Sequence, residues 1–154
     1  MGTISLAEDF REFLRLLNST GVEYLLVGGY AMAVHGHPRS TGDLDLWIAI
    51  DASNAERTAE AVRRFGFDMP AVNADLFRQP GKVVRMGVPP LRIGIITTAT
   101  GVDFPTCFGR GLRCDLDGVP VRVIGREDLL ANKRAAGRAK DLADVEALSP
   151  PKPA

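Results

Sequence analysis

Apolar and polar residues recur along this chain with two periods, and the switches between them mark its elements. Leu6, Phe10, Phe13, Leu14, Leu16 and Leu17 repeat at helical spacing up to Asn18, which gives a first helix one apolar face. Ser5-Leu-Ala-Glu8 has the form of a capping box opening this helix, and Gly21 ends it. Glu23–Val27 is a short apolar run flanked by glycine and predicts a buried strand. Tyr30–His35 predicts a short helix, with Gly36 at its left-handed C-terminal position and Pro38 preventing continuation. Over Asp43–Ile50 the period becomes two. Leu44, Leu46, Ile48 and Ile50 share one face, and Asp43, Asp45, Trp47 and Ala49 share the other. Ser53-Asn-Ala-Glu56 is a second capping box, opening a helix that ends at Gly66.

Residues 68–81 are irregular apart from a turn of helix at Asn73–Phe77. Lys82–Met86 and Leu91–Thr97 read as strands joined through Gly87-Val-Pro-Pro90, and Asp103–Phe108 as a helical turn. Leu112–Leu116 and Val119–Ile124 predict a hairpin around Asp117-Gly118, a favoured two-residue turn. Arg126–Ala136 and Ala139–Leu148 predict two helices broken at Gly137, and residues 149–154 a frayed tail. The pattern is a mixed β-sheet with helices packed on it, of α/β (α+β) type, ending in a short helical segment. Residues 1–148 are expected to form a single domain.

Composition narrows the picture. The chain has 154 residues, 45% apolar and 25% charged, which suits one globular core. Nineteen basic residues balance nineteen acidic ones, so no extended nucleic-acid surface is expected. No apolar run approaches the length of a membrane span, and no signal segment opens the chain. A cytoplasmic protein is expected. Cys107 and Cys114 lack metal-ligand spacing. They form either one disulfide or two reduced thiols, the second being the expectation in a cytosolic chain.

Candidate chemistry gathers between Leu25 and Ile50. Gly28 and Gly29 stand where a strand passes into a helix, a place where outward-pointing amides and the helix dipole favour an anion. Glycine there also serves the turn itself. Asp43 and Asp45 lie two apart on one strand, with α-carbons roughly 6.5–7 Å apart and side chains on one face. Mg²⁺ is commonly held by one or two carboxylates together with substrate phosphates. The aliphatic opposite face makes the strand central, and partly buried acids need partners. Thirteen residues separate Gly29 from Asp43, room for one short helix and a return loop.

The string Gly28-Gly29-Tyr30-Ala31, His35-Gly36, Arg39-x-Thr41-x-Asp43-x-Asp45 resembles the signature of the nucleotidyltransferase superfamily. It is most similar to the small bacterial members, including the toxin enzymes of abortive-infection and toxin–antitoxin systems, with antibiotic-modifying enzymes as distant relatives. The segment Asn132-Lys133-Arg134-Ala-Ala-Gly137-Arg138-Ala-Lys140-Asp141-Leu-Ala-Asp144 is similar to the closing segment of the toxin-like group. The resemblance spans about residues 22–148. It implies that Gly28, Gly29 and Lys133 contact a nucleoside triphosphate and that Asp43 and Asp45 are catalytic and bind Mg²⁺ or Mn²⁺. It also implies transfer of a nucleoside monophosphate to a hydroxyl of a tRNA, protein or small molecule, and a cognate antitoxin as partner. Such proteins carry a third carboxylate on a neighbouring strand.

This chain departs from that pattern. In Leu91-Arg-Ile-Gly-Ile-Ile-Thr97, Gly94 stands where the third acid is expected. Asp103 and Asp115 are the available substitutes, and a surface acid is the blander reading of each. Either another acid or the substrate replaces the missing ligand, or the chain is a catalytically weakened module that binds nucleotide or a partner. Gly94→Asp is expected to raise Mg²⁺-dependent transfer, and an unchanged rate beside a robust wild-type rate contradicts a role for that slot.

The remaining residues weigh less. Arg39 could brace a phosphate by paired donors, and Thr41 could orient the loop through its backbone bonds. His35 reads as a hydrogen-bonded structural histidine more readily than as a base. Trp47 could stack on a base, though packing under helices is the simpler reading. Lys133, Arg134, Arg138 and Lys140 are interleaved with Asp141, Asp144 and Glu146, the pattern of a salt-bridged helical face.

Overall fold

The computed structural model describes residues 4–38 and 42–149. Arg39 and Thr41 lie outside the described residues, as does nearly all of the expected tail. The element order is α1 (Glu8–Thr20), β1 (Tyr24–Val27), α2 (Gly28–Val34), β2 (Asp43–Ile48), α3 (Ala52–Arg64), α4 (Ala74–Phe77), β3 (Val83–Val88), β4 (Leu91–Ile96), α5 (Phe104–Gly109), β5 (Leu112–Leu116), β6 (Val119–Val123), α6 (Arg126–Ala136) and α7 (Ala139–Leu148).

The six strands form one mixed sheet in the order β3-β4-β2-β1-β6-β5. β2 runs antiparallel to β1 and parallel to β4, and β1 runs parallel to β6. The two outer pairs, β3–β4 and β5–β6, are antiparallel. β2 is therefore internal, as its aliphatic face required, and Leu44 and Leu46 are fully buried. The Tyr24 hydroxyl meets Asn18 of α1 at 3.0 Å, which places α1 over the face that carries Leu26, Leu46 and Ile48. The Trp47 ring meets Phe104 of α5 edge-on, with centroids 5.2 Å apart, so α5 covers the opposite face. Asn132 of α6 donates to the Thr100 carbonyl, which brings α6 to that same side. Burial of these two aliphatic layers is the main source of stability.

Three helix starts differ from the sequence reading; α2 begins at Gly28, two residues before the predicted Tyr30. α1 begins at Glu8 behind Ala7, and no side chain caps it. Ser5 loses that role because the Leu6 amide donates to Asp117 at the β5–β6 turn (2.9 Å) and the Leu6 side chain is buried. A tertiary contact thus fixes the approach to the helix. α3 is capped by Asp51, which accepts from the Asn54 amide at 3.0 Å, and not by Ser53. The Asn54 side chain explains the choice. It accepts from the Glu23 amide (2.7 Å) and donates to the Ala49 and Glu23 carbonyls (2.7 and 3.1 Å). β2 accordingly ends at Ile48, two residues before the predicted Ile50. Asn54 is 1% exposed, so Asn54→Ala removes its bonds to the Glu23 amide and the buried Ala49 carbonyl, while the Glu23 carbonyl keeps the Ala49 amide. A loss of about 2 kcal/mol is expected, to be measured by urea denaturation with an unchanged m value.

Cys107 and Cys114 are both free thiols. Burial first, and the nearby Asp128 second, push the Cys107 thiol up to about 11, so it is inert at neutral pH.

Candidate active site

The strand register builds the site. On one face of the sheet, Val27, Asp45, Gly94 and Arg85 form a row across β1, β2, β4 and β3. The next row is Asp43, Arg92 and Gly87. Asp43 and Asp45 thus stand side by side at the start of β2. The β1–α2 turn begins at Gly28, one residue after the partner of Asp45.

Gly28 is left-handed, with φ +69°, a conformation that disfavours any residue with a side chain. A β-carbon there would also lie 2.5 Å from Asp45 Oδ2. On the other side, a β-carbon at Gly94 would lie 2.8 Å from Asp45 Oδ1. The Asp45 carboxylate therefore occupies the space that side chains at both glycines would need. Burial first, and the Asp43 charge second, hold its pKa above the ordinary value, against Arg85, Lys140 and Arg92. Asp43 receives a forked contact from the Arg92 guanidinium, Nε and Nη2 each 3.3 Å from a carboxylate oxygen. No side chain caps α2, and Gly29 is buried in its first turn.

The two substitutes weighed for Gly94 do not reach it. Asp103 caps α5 by accepting from the Thr106 amide at 3.1 Å; the Thr106 side chain first, and that amide second, lower its pKa. It lies beyond Thr97, past the far end of β4 from Asp45. Asp115 sits on β5, three strands from β2, or about 14 Å across the sheet. Among the described residues no three His, Cys, Asp or Glu side chains come together as a metal cage. The donor set fits a divalent ion that completes its shell from substrate oxygens and water, the usual habit of Mg²⁺.

Residues 6–150 match the family described as "Nucleotidyl transferase of unknown function (DUF2204)". The chain belongs to this family. No curated protein matches the chain. Among solved structures, the lincosamide antibiotic adenylyltransferase LnuA, in a lincomycin-bound form, is 14% identical with a TM-score of 0.58, covering 95% of this chain and 98% of its own. TM1012 of Thermotoga maritima is 13% identical with a TM-score of 0.58, covering 90% and 87%. The antibiotic-resistance factor ANT(2'')-Ia is 13% identical with a TM-score of 0.58, covering 91% and 80%. At these identities the likeness concerns the fold, and that fold is the nucleotidyltransferase one.

Other residues of this nucleotidyltransferase-family chain sit away from the two aspartates or are already engaged. The His35 ring nitrogen Nε2 lies 2.7 Å from the Ile124 carbonyl, a tie between α2 and the end of β6. Trp47 is 1% exposed and packs under α5. Lys133 is buried on α6, its Nζ 2.8 Å from Asp144 and 3.7 Å from Asp141. A phosphate would have to compete with those two carboxylates for it. A groove of about 550 Å³ lined by Tyr24, Phe108 and Arg122 lies toward the opposite end of β1 from Asp45. Its size does not place it near the paired acids. The sequence reading gave no site role to Arg85, Arg92 or Lys140, the cations that bear on Asp45, and took Lys140 for part of a salt-bridged helical face. Arg92 was within reach, because it lies two residues before Gly94 on one strand. Arg85 emerges only from the β3–β4 register.

Proposed function

We propose that the chain transfers a nucleoside monophosphate from a nucleoside triphosphate to a hydroxyl acceptor, with Asp43 and Asp45 holding Mg²⁺ or Mn²⁺. The observation that carries this reading is the Asp45 carboxylate, wedged against Gly28 at the β1–α2 turn with Asp43 beside it. Two adjacent acids, one of them partly buried, repel one another unless a cation joins them. Gly28 and Gly29 would offer the amides of this turn to phosphate, and Arg39 and Thr41, which precede β2 in the sequence, would add phosphate contacts. A bound divalent ion would supply charge neutralisation on the phosphates. In the reaction the acceptor oxygen bonds to the α-phosphorus, the bond to pyrophosphate breaks, and the hydroxyl proton passes to solvent. Positioning and electrostatics carry such chemistry.

The acceptor is a hydroxyl of a tRNA end, a protein side chain or a small molecule. The even charge balance favours one that needs no extended basic surface. The toxin-like resemblance adds a cognate antitoxin as partner and a cytoplasmic setting. Among the described residues no helix is long and apolar enough to cross a membrane. A second reading, a nucleotide-binding module with weakened transfer, draws on Gly94 and on the lack, among the described residues, of a third acid clustered with Asp43 and Asp45.

Incubation with α-labelled nucleoside triphosphates, Mg²⁺ or Mn²⁺, total RNA and lysate protein separates them. Label on an acceptor, lost in Asp43→Ala, supports the enzyme. Metal-dependent nucleotide binding without label supports the module, and the absence of both label and binding overturns both readings.

A further inference from the structure

The two site-facing rows pair each acid with a cation. Asp43 faces Arg92 directly, and Asp45 faces Arg85 across Gly94, a position without a side chain. The two rows therefore bring two negative and two positive groups together around Gly94, and Lys140 adds a third positive charge that bears on Asp45. Acids alone suit a bare cation, and arginines alone suit a bare phosphate. A set with both is matched by a cation and a polyphosphate that arrive together.

The Arg92–Asp43 contact has the properties of a temporary pair. The backbone holds Arg92 in place, its amide donating to the Gly42 carbonyl at 3.0 Å just before β2 begins. The side chains are about one-third exposed, at 35% and 39%, and both contacts are long for charged hydrogen bonds. Exposed ion pairs of this kind are weak and easily exchanged. Asp43 is the carboxylate a metal would need, and the Arg92 fork is shaped for phosphate oxygens.

We propose that Arg92 is a latch on the metal site: it holds Asp43 while the site is free, and moves to a phosphate oxygen when a divalent ion takes Asp43. The proposal rests on the reading of Asp43 and Asp45 as a metal–nucleotide site. Metal on Asp43 makes Arg92 available to phosphate, and phosphate on Arg92 removes the Arg92 contact from Asp43. Linkage makes the two effects equal. Arg92 is thereby a residue that favours the metal–triphosphate complex over either component alone.

Titration of the 154-residue chain with Mn²⁺ alone, inorganic triphosphate alone and both together, followed by calorimetry and by the Mn²⁺ resonance signal, tests the latch without any turnover. Arg92→Gln is expected to bind Mn²⁺ alone about two- to fivefold more tightly, the reach of one exposed ion pair. It is expected to bind triphosphate in the presence of Mn²⁺ about tenfold more weakly, the scale of a lost charged hydrogen bond. Arg92→Lys keeps the charge without the fork and should fall between the two. It also serves if the glutamine variant fails to fold. Arg85→Gln removes an equal charge from the neighbouring row and should tighten Mn²⁺ less than Arg92→Gln. Unchanged Mn²⁺ affinity in Arg92→Gln, or an equal gain in Arg85→Gln, overturns the latch. Failure of the wild type to bind either probe overturns the metal–nucleotide reading beneath it.

Discussion

Asp45→Asn is expected to lower nucleotidyl transfer by about 10³-fold or more while the melting temperature stays level or rises. The loss of rate follows from removing one of the two carboxylates proposed to hold a divalent ion, whose charge stabilisation is worth several kcal/mol of barrier. The stability effect has the opposite sign. Burial and the Asp43 charge raise the folded-state pKa of Asp45 above its ordinary value. A carboxyl raised on folding is less willing to ionise in the native state, so its ionised form costs stability at neutral pH. That cost appears as pH rises through the unfolded pKa and is complete above the folded one. Asparagine keeps the shape and removes the cost. In the wild type, the Asp45 contribution should make stability rise as pH falls toward the carboxylate range. Paired rate assays and thermal melts across pH check both halves. A variant that loses activity and stability together assigns Asp45 a structural role.

Lys133→Ala is expected to lose about 3–5 kcal/mol of stability, or about 10 °C in melting temperature. Lys133, Asp141 and Asp144 are all under 10% exposed. Burial alone would raise the Asp141 pKa, but the Arg138 bond and charge, with Lys133, hold it below the ordinary value. A carboxylate depressed in this way contributes stability at neutral pH that is lost as pH falls through its folded pKa. Removing Lys133 leaves Asp144 buried with its short Lys133 contact gone. Replacing both, as Lys133→Met with Asp144→Leu, is expected to recover most of the loss, because a buried ion pair is not more stable than a well-packed apolar pair. Asp141 keeps Arg138 throughout, through contacts at 2.6 and 3.3 Å. Urea denaturation of the two single variants and the double variant gives the coupling between them. A Lys133→Ala protein as stable as wild type that no longer binds triphosphate assigns the lysine to the nucleotide instead.

The elements were legible where one periodicity dominated. α6 and α7 lie at the predicted residues because Gly137 punctuates two clear helical runs. The Asp117-Gly118 hairpin follows from turn chemistry, with both residues at positive φ. Helix starts were less legible. Ser5 and Ser53 had the right local form, but Asp117 and the inward-turned Asn54 side chain decided the outcome from distant or buried positions. The shared face of Asp43 and Asp45 was readable from a period of two within one strand. The way Asp45 fills the space beside Gly94 was not, because it depends on a side-chain torsion. The cations around the site and the engagement of Lys133 depend on strand register and on how α7 folds back on α6, and neither is written in local sequence.

The central claim is that Asp43 and Asp45 jointly hold a divalent ion beside the turn at residues 28 and 29. Anomalous diffraction from crystals grown with Mn²⁺ and a non-hydrolysable nucleoside triphosphate tests it most directly. The account predicts one Mn²⁺ peak bonded to both carboxylates, with phosphate oxygens completing its shell next to Gly28. A nucleotide bound elsewhere, with Asp43 still on Arg92 and no manganese between the two acids, would contradict it.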